Sequence, residues 1–264
     1  MDPAGPLVVA HRGSSHAVPE HTLAAFRQAL DEGVDALECD VRLTRDGHLV
    51  CVHDRRVDRT STGRGPVSTL ELAELSELDF ASWRGQPVEP QQPDTDSGGV
   101  LTFTRLLELV LSWPKRVELH VETKHPNRYA GLVEQTLVRV LQEYGVLGAD
   151  AAAAGQVTVM SFAPVGLRRV RLLAPELPTL LLVRDKTYAA WREGLLPAGV
   201  HTAGPSIKTV RRHPRFVARL RARGHRVHVW TVDEPGDVEL VLDLGVDAII
   251  TNRPADVLRR LGRG

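Results

Sequence analysis

The chain has 264 residues, of which 42% are hydrophobic and 25% are charged, as in folded domains that bury a sizeable core. Lysine plus arginine and aspartate plus glutamate each total 33, so the formal net charge is zero. The basic excess that nucleic-acid-binding proteins use against phosphate is therefore absent, and we expect a small-molecule substrate held by a few charged side chains.

The first residues and the cysteines suggest a cellular location. Residues 1–9 lack the basic segment and long apolar run of a signal peptide, and no apolar stretch approaches the ~20 residues that cross a bilayer. Cys39 and Cys51 lie in apolar runs, which is typical of buried free thiols in a reducing compartment. We expect a cytoplasmic protein without stable membrane insertion, whose oligomeric state the sequence does not indicate.

Short β-rich runs alternate with longer helical patterns, which is typical of βαβ units around a parallel sheet. The pattern predicts strands at Leu7–Ala10, Ala36–Leu43, Leu49–His53, Val117–Glu122, Val157–Ser161, Thr179–Val183, Gly199–Gly204, Arg226–Thr231 and Asp247–Thr251. An α/β barrel uses eight strands, so one of these is surplus. We predict a (β/α)8 TIM barrel in which residues 1–264 form a single domain.

The first predicted strand ends in His11, Arg12 and Gly13. Polar residues that leave an apolar strand lie at the carboxyl-terminal rim, where barrel enzymes hold their active sites. Arg12 can grip a phosphate through its planar guanidinium group, and Gly13 lets the backbone turn sharply. Solvated side chains at a strand end would give the same pattern, so this segment needs support from others.

The second predicted strand carries acidic side chains on one face. Alternation places Glu38, Asp40 and Arg42 together, opposite an apolar face that must meet the surrounding helices. Glu38 and Asp40 then point into the barrel, where two carboxylates are costly unless a cation lies between them. A hard divalent ion would satisfy them, and a structural ion network with Arg42 is the alternative.

The dipeptide Asp46-Gly47 is a hairpin signal directly after this strand. A two-residue turn would set Asp40 opposite His53. The run Leu49–His53 is then the surplus strand, an antiparallel arm that returns to the mouth of the barrel, although it could instead be a barrel strand.

Residues 55–99 follow this arm and are partly rich in Pro, Gly, Gln and Asp without periodicity. They are predicted to form a rim or lid insertion above the barrel.

The segment Val117–Lys124 repeats the alternation, with Glu122 and Lys124 at its carboxyl end and level with Asp40. Together with Glu38, these acids make an oxygen site suited to Ca²⁺ or Mg²⁺, beside which Lys124 can face a phosphate.

Two histidines, His11 and His53, bracket the acidic cluster in this arrangement. One imidazole can take a proton from a nucleophile while the other gives one to a leaving oxygen, which suits cleavage of a diester.

Ordered motifs run through nearly the whole chain. They are His11-Arg12-Gly13, Pro19-Glu20-His21-Thr22, Glu38-Cys39-Asp40-Val41, Thr44-Arg45-Asp46-Gly47, His53-Asp54, Glu122-Thr123-Lys124, Ser161-Phe162, Trp230-Thr231-Val232 and Gly245-Val246-Asp247-Ala248-Ile249-Ile250-Thr251. In this combination and order the chain resembles the glycerophosphodiester phosphodiesterase family.

The resemblance implies hydrolysis of glycerophosphodiesters to glycerol 3-phosphate and an alcohol such as choline or ethanolamine, by way of a cyclic glycerol phosphate. It also implies an acid/base pair, His11 and His53, and one divalent cation, Ca²⁺ or Mg²⁺, held by Glu38, Asp40 and Glu122. Contacts to phosphate or substrate are implied for Arg12, Lys124, Trp230 and Phe162. The two aromatic residues could instead be ordinary core residues.

Two positions depart from the family pattern, since many members have Asn at His21 and Asp is common at Asn252. Two other functions stay open, a lysophospholipase D-type phosphodiesterase that acts on lipid-bearing substrates and a non-catalytic barrel that binds phosphorylated ligands. The basic stretch from Lys208 to Arg226 is typical of a solvated helix face, with docking on anionic lipid as the alternative.

Overall fold

A computed structural model describes residues 5–85, 98–147 and 155–263. All predicted strands are present within these ranges, with ends that differ from the prediction by at most three residues. They are β1 (Leu7–His11), β2 (Ala36–Leu43), β3 (Leu49–Cys51), β4 (Glu118–Thr123), β5 (Val157–Ser161), β6 (Thr179–Val183), β7 (Thr202–Pro205), β8 (Arg226–Val229) and β9 (Ala248–Thr251).

Helices connect the strands along the described residues. They are α1 (Leu23–Asp31), α2 (Leu72–Ser76), α3 (Phe103–Ser112), α4 (Leu132–Glu143), α5 (Pro164–Leu173), α6 (Tyr188–Trp191), α7 (Ile207–Arg212), α8 (Arg215–Ala222), α9 (Pro235–Asp243) and α10 (Pro254–Arg260). In residues 5–85, 98–147 and 155–263, no helix combines the length and apolar character that a membrane crossing requires.

The strands form a closed parallel barrel. Neighbours pair in the order β1-β9-β8-β7-β6-β5-β4-β2, and a further pairing of β1 with β2 closes the ring. The remaining strand, β3, pairs antiparallel with β2 alone among the strands of the described residues. The predicted TIM barrel and the identity of the surplus strand are therefore confirmed.

The predicted register of the β2–β3 hairpin is wrong by one residue. Leu43 lies opposite Leu49, so the turn between the strands is longer than two residues. The Thr44 amide donates to the His48 carbonyl at 2.9 Å, and the Thr44 hydroxyl accepts from the His48 amide at the same distance. Gly47, with φ 88°, closes a three-residue loop in the left-handed conformation that glycine adopts easily.

This register changes the partner of Asp40. The Val52 amide donates to the Asp40 carbonyl at 3.1 Å, so His53 lies one residue beyond the position opposite Asp40. His53 nevertheless reaches the mouth of the barrel, because it follows the last residues of the arm.

Strand β2 separates apolar from acidic side chains as its alternation predicts. Leu37, Cys39 and Val41 are buried in the large apolar layer between the strands and the helices, and both cysteines of the chain are free. Burial of a leucine-sized side chain contributes about 1.5–3 kcal/mol, so the outward face of β2 fixes which residues point inward. Glu38 and Asp40 consequently point into the barrel, where both are buried.

Residues 55–85 of the predicted rim pack on the arm. Their buried side chains Val57, Val67, Leu75 and Phe80 form a separate apolar cluster with Val50 and Val52. Residues 86–97 of the predicted insertion lie outside the described residues.

Candidate active site

A cavity of roughly 450 Å³ opens at the carboxyl ends of the barrel strands. With the exception of Asp40, which is fully buried beneath its wall, every predicted site residue lines this cavity: His11, Arg12, Glu38, His53, Glu122, Lys124, Phe162 and Trp230. The structure therefore brings the predicted residues together at the end of the barrel where such enzymes act.

The acidic cluster is built by the pairing of two parallel strands. Asp40 of β2 is the register partner of Glu122 of β4, and Glu38 lies one pleat deeper. One carboxylate oxygen from each of the three acids lies within 4.8 Å of the others. All three side chains are buried, so their negative charges are poorly solvated.

The pKa values of these three acids shift in different directions. Burial, followed by the nearby charge of Asp40, raises the pKa of Glu38 well above its usual value and that of Glu122 to about 7. Burial also opposes ionisation of Asp40, but the positive charges of Lys124 and Arg12 hold the pKa of Asp40 well below its usual value. The protein's own cations therefore outweigh burial at Asp40 but not at Glu38 or Glu122.

Lys124 and Arg12 provide that positive charge at short range. The Lys124 Nζ atom lies 2.7 Å from Asp40 Oδ1 and 2.8 Å from Glu122 Oε2. Arg12 Nε lies 3.1 Å from Asp40 Oδ2 on the other side. Arg12 can take this position because Gly13, with φ 82°, lets the chain pass against α1: a Cβ atom there would lie 2.6 Å from the carbonyl carbon of Ala25.

The donor set fits a hard divalent cation. Glu38, Asp40 and Glu122 offer only oxygen atoms, which Ca²⁺ and Mg²⁺ prefer, and they converge in a buried place. Burial and the nearby charge of Asp40 raise the pKa of Glu38 and that of Glu122, and the positive charge of a divalent ion would oppose both effects.

His11 is held by a chain of hydrogen bonds from the last strand. Its Nδ1 atom lies 2.7 Å from Oδ1 of Asn252, whose Nδ2 donates to Asp233 Oδ2 at 2.6 Å. Because Asp233 fixes the amide orientation, His11 must donate through Nδ1, which leaves a lone pair on Nε2. Burial and the neighbouring Arg12 charge lower the pKa of His11 to about 3, so the neutral imidazole is favoured.

His53 stands on the opposite side and has a charged partner. Its Nδ1 atom lies 2.7 Å from Asp54 Oδ1, and Asp54 Oδ2 accepts from Arg59 Nε at 2.6 Å. Arg42 donates to the backbone carbonyl of His53 through Nε and Nη2 at 3.1 and 2.7 Å. Burial lowers the pKa of His53, while the carboxylates of Asp40 and Asp54 act in the opposite direction.

Sequence reasoning gave no role to His21, which lies directly beneath the acids. Its Nε2 atom accepts from the backbone amide of Asp40 at 3.0 Å, and burial lowers the pKa of His21 to about 3. A neutral imidazole therefore orients β2 through its backbone. The motif around His21 was visible, but its contact depends on a loop conformation, with φ 59° at His21, that no periodicity encodes.

The aromatic residues form one wall of the cavity. Phe162 and Trp230 meet edge to face, with ring centroids 5.4 Å apart, and Trp230 Nε1 donates to the carbonyl of Gly204 at 2.6 Å. The guanidinium carbon of Arg184 lies 3.9 Å from the centre of the Phe162 ring. Both rings are partly buried and line the cavity, so they are available to a ligand as well as to the core.

A TIM barrel whose mouth joins three carboxylates, two cations and two imidazoles has the composition of a phosphoric diester hydrolase. The model of the "Glycerophosphoryl diester phosphodiesterase family" matches residues 11–256. The chain belongs to this family.

Curated relatives and solved structures agree with this assignment. A probable glycerophosphodiester phosphodiesterase 1 of Mycobacterium tuberculosis is 46% identical over 251 residues, which cover 94% of this chain and 90% of the relative. A glycerophosphodiester phosphodiesterase of Bacillus subtilis is 34% identical over 268 residues, which cover 100% of this chain and 89% of the relative. The structure of an Oleispira antarctica phosphodiesterase in complex with the product sn-glycerol-3-phosphate matches with a TM-score of 0.82, 26% identity and 97% coverage of both chains.

Proposed function

We propose that the chain hydrolyses glycerophosphodiesters to glycerol 3-phosphate and an alcohol with the help of one divalent cation and two histidines. The observation that carries this proposal is the convergence of Glu38, Asp40 and Glu122 within 4.8 Å of one another, beside a cavity that His11 and His53 line. We further propose that residues 1–264 act as one catalytic domain. The cytoplasmic location remains a prediction.

In this proposal Glu38, Asp40 and Glu122 hold the cation, which is Ca²⁺ or Mg²⁺ by the chemistry of the donors. When bound, it supplies positive charge that stabilises the extra negative charge of the phosphoryl group in the transition state.

Arg12 and Lys124 hold the phosphoryl oxygens from the protein side. Both cations already lie at Asp40, and both line the cavity, so they can turn to a phosphate without leaving the site. The guanidinium group of Arg12 suits two phosphate oxygens at once, whereas the ammonium group of Lys124 acts as a point charge.

The two histidines divide the proton transfers by their partners. His11 is bonded through Nδ1 to the neutral amide of Asn252, so its free Nε2 can accept the proton of the attacking hydroxyl. His53 has the carboxylate of Asp54 at Nδ1, which stabilises an imidazolium that can donate to the leaving oxygen. Attack by the neighbouring glycerol hydroxyl would give a cyclic glycerol phosphate, which water then opens by the reverse proton transfers.

Trp230 and Phe162 line the side of the cavity away from the arm and would contact the glycerol or the leaving group. Their partly exposed rings offer an apolar surface for the carbon skeleton of the substrate.

The test is release of glycerol 3-phosphate from glycerophosphoethanolamine before and after removal of metal with EDTA. Chelation should abolish turnover, and Ca²⁺ or Mg²⁺ should restore it. Glu122→Gln should lower the rate strongly in the same assay. Glu118→Gln is the matched control, because Glu118 lies on the same strand and the same face but outside the acidic cluster.

Undiminished turnover after thorough metal removal would contradict the metal site. The same assay with lysophosphatidylcholine distinguishes the two proposed activities. Release of choline from this lipid that is faster than hydrolysis of the glycerophosphodiester would favour the lysophospholipase D-type activity. Absence of any hydrolysis, with tight binding of glycerol 3-phosphate, would favour a binding protein.

A further inference from the structure

We infer that this site selects glycerophosphodiesters whose alcohol carries a negative charge of its own, and that a second cavity binds that charge. The inference rests on the proposed function, because it names the head group of the same substrate. It is carried by the arrangement of arginine side chains outside the catalytic cluster.

Three arginines line the site cavity beyond the groups assigned to catalysis, namely Arg42, Arg55 and Arg184. Arg12, Lys124 and Arg59 are paired with carboxylates. In the part of the chain that the structure describes, no carboxylate lies within ion-pair distance of the three outer arginines. Although Asp40, Glu122 and Asp54 act on Arg42 at longer range, these three guanidinium groups place positive charge at the mouth that no direct ion pair holds within the described residues.

A second cavity of roughly 270 Å³ adjoins the first and shares Arg42 and Arg55 with it. Its other polar lining comes from Ser68, Asn127, Arg128 and Tyr129, whose hydroxyl is bonded to the Ser68 carbonyl, and no aspartate or glutamate is among the described residues that line it. A chain that extends from the phosphate past His53 thus meets three guanidinium groups and two neutral polar side chains. This set is suited to a phosphate, sulfate or carboxylate group on the alcohol.

One face of the Phe162 ring is not available to a quaternary ammonium head group. A choline group binds best over an open aromatic face. The guanidinium group of Arg184 lies over the Phe162 ring at 3.9 Å, and Trp230 meets the same ring edge to face. The face turned to Arg184 is therefore occupied by a cation that would also repel a cationic head group.

The rim makes this arrangement possible. Arg55 follows the catalytic segment His53-Asp54 directly, and its backbone carbonyl accepts from the Val67 amide at 3.0 Å. Tyr129 donates through its hydroxyl to the carbonyl of Ser68 at 2.7 Å, which joins the loop after β4 to the rim. The second cavity is thus enclosed between two segments that are tied to each other.

The experiment compares two substrates that differ by one phosphate, glycerophosphoinositol and glycerophosphoinositol 4-phosphate, through their release of glycerol 3-phosphate. We expect kcat/KM to be about tenfold higher for the phosphorylated diester at low ionic strength, as for a focused positive cleft. The ratio should fall as salt screens the charges. Glycerophosphocholine should be the poorest of the three substrates.

The Arg55→Gln variant should lower the ratio between the two inositol substrates by about threefold, the size expected for one exposed charge pair. Arg56→Gln is the matched control: Arg56 is the next residue, is exposed and pairs with Asp58, but lines neither cavity. A ratio of one or less in the unmodified protein, or equal losses in the two variants, would overturn the inference.

A binding measurement tests the head-group preference independently of the proposed hydrolysis. Titration calorimetry of both diesters against the metal-loaded His53→Ala protein measures the same preference without turnover. Failure of the unmodified enzyme to cleave either diester would count against the proposed function alone. Equal affinity for the two diesters would count against the head-group inference alone.

Discussion

Asn252 lies between His11 and Asp233, and its side chain decides which nitrogen of the imidazole carries a proton. Replacement by leucine should remove the acceptor at His11 Nδ1 and lower kcat by about 10- to 100-fold, as loss of an orienting partner does, while KM changes much less. The measurement is steady-state kinetics together with a thermal melt that reports on the fold.

Exchange of the two residues tests whether the loss of kcat comes from the missing hydrogen-bond acceptor at His11. Asn252→Asp combined with Asp233→Asn places a carboxylate at His11 and an amide behind it, so both hydrogen bonds can form again. The double variant should therefore keep more activity than Asn252→Leu. If Asn252→Leu and the double variant lose kcat equally and have equal melting temperatures, His11 does not need this acceptor.

At the scale of single residues, the sequence predicted those side chains whose position follows from a strand. Glu38, Asp40 and Glu122 could be placed because alternation and parallel register leave little freedom. The partners of the catalytic groups could not be placed in the same way. Asn252 was noted only as a departure at the mouth, and His21 only as a variant of a motif, because their contacts join segments that are distant in sequence.

At the scale of elements, Glu20 joins the end of β1 to the rim. Its carboxylate accepts from Arg12 Nη1 at 3.0 Å and from Arg59 Nη2 and Nη1 at 2.7 and 2.9 Å, and the side chain is 10% exposed. Burial opposes its ionisation, but the hydrogen bonds from Arg59 and the charge of Arg12 lower the pKa of Glu20 to about 2. The ionised form is therefore favoured by folding.

Glu20→Gln should lower the free energy of unfolding by roughly 1–3 kcal/mol at neutral pH. Folding lowers the pKa of Glu20 from 4.5 to about 2. The stabilisation by the ionised carboxylate is therefore fully present above pH 4.5, and it is lost as the pH falls towards 2. The difference between the two proteins should therefore narrow below pH 4.5 in urea titrations. Glu143→Gln, which breaks an exposed pair with Arg139, is the control and should change little. A difference independent of pH would contradict an electrostatic origin.

The hairpin shows why element boundaries were predicted better than register. The Asp46-Gly47 signal located the turn correctly, but two- and three-residue loops both accept glycine in the left-handed conformation. The extra residue is favoured by Thr44, whose hydroxyl contacts both Asp46 and the His48 amide. A shift of one residue in the pairing register turns every side chain of a strand to the opposite face. The hydrogen bonds of Thr44 therefore decide which side chains of the arm face the rim.

At the scale of the whole molecule, the barrel gathers residues from β1, β2, β4 and β9 at one mouth. The first strand pairs with β2 on one side and with β9 on the other. These two pairings bring Glu38 and Asn252 to His11. Motif order along the chain was sufficient to predict this gathering. The second cavity was not predictable, since it arises where the rim meets the loop after β4, and neither segment has a periodic pattern.

The same gathering would couple the stability of the barrel to the proposed cation. Glu38 and Glu122, whose pKa values are raised by burial and repulsion, lie on the adjacent strands β2 and β4. A divalent ion that binds only the folded chain stabilises it by about 2.7 kcal/mol at one hundred times its dissociation constant. We therefore expect the melting temperature of metal-free protein to rise with added Ca²⁺ or Mg²⁺, and not with NaCl of equal ionic strength. The melting temperature of the Glu38→Gln/Glu122→Gln protein should not respond to the ion, because two of the three proposed ligands lack their charge. An equal response in both proteins would place the cation elsewhere.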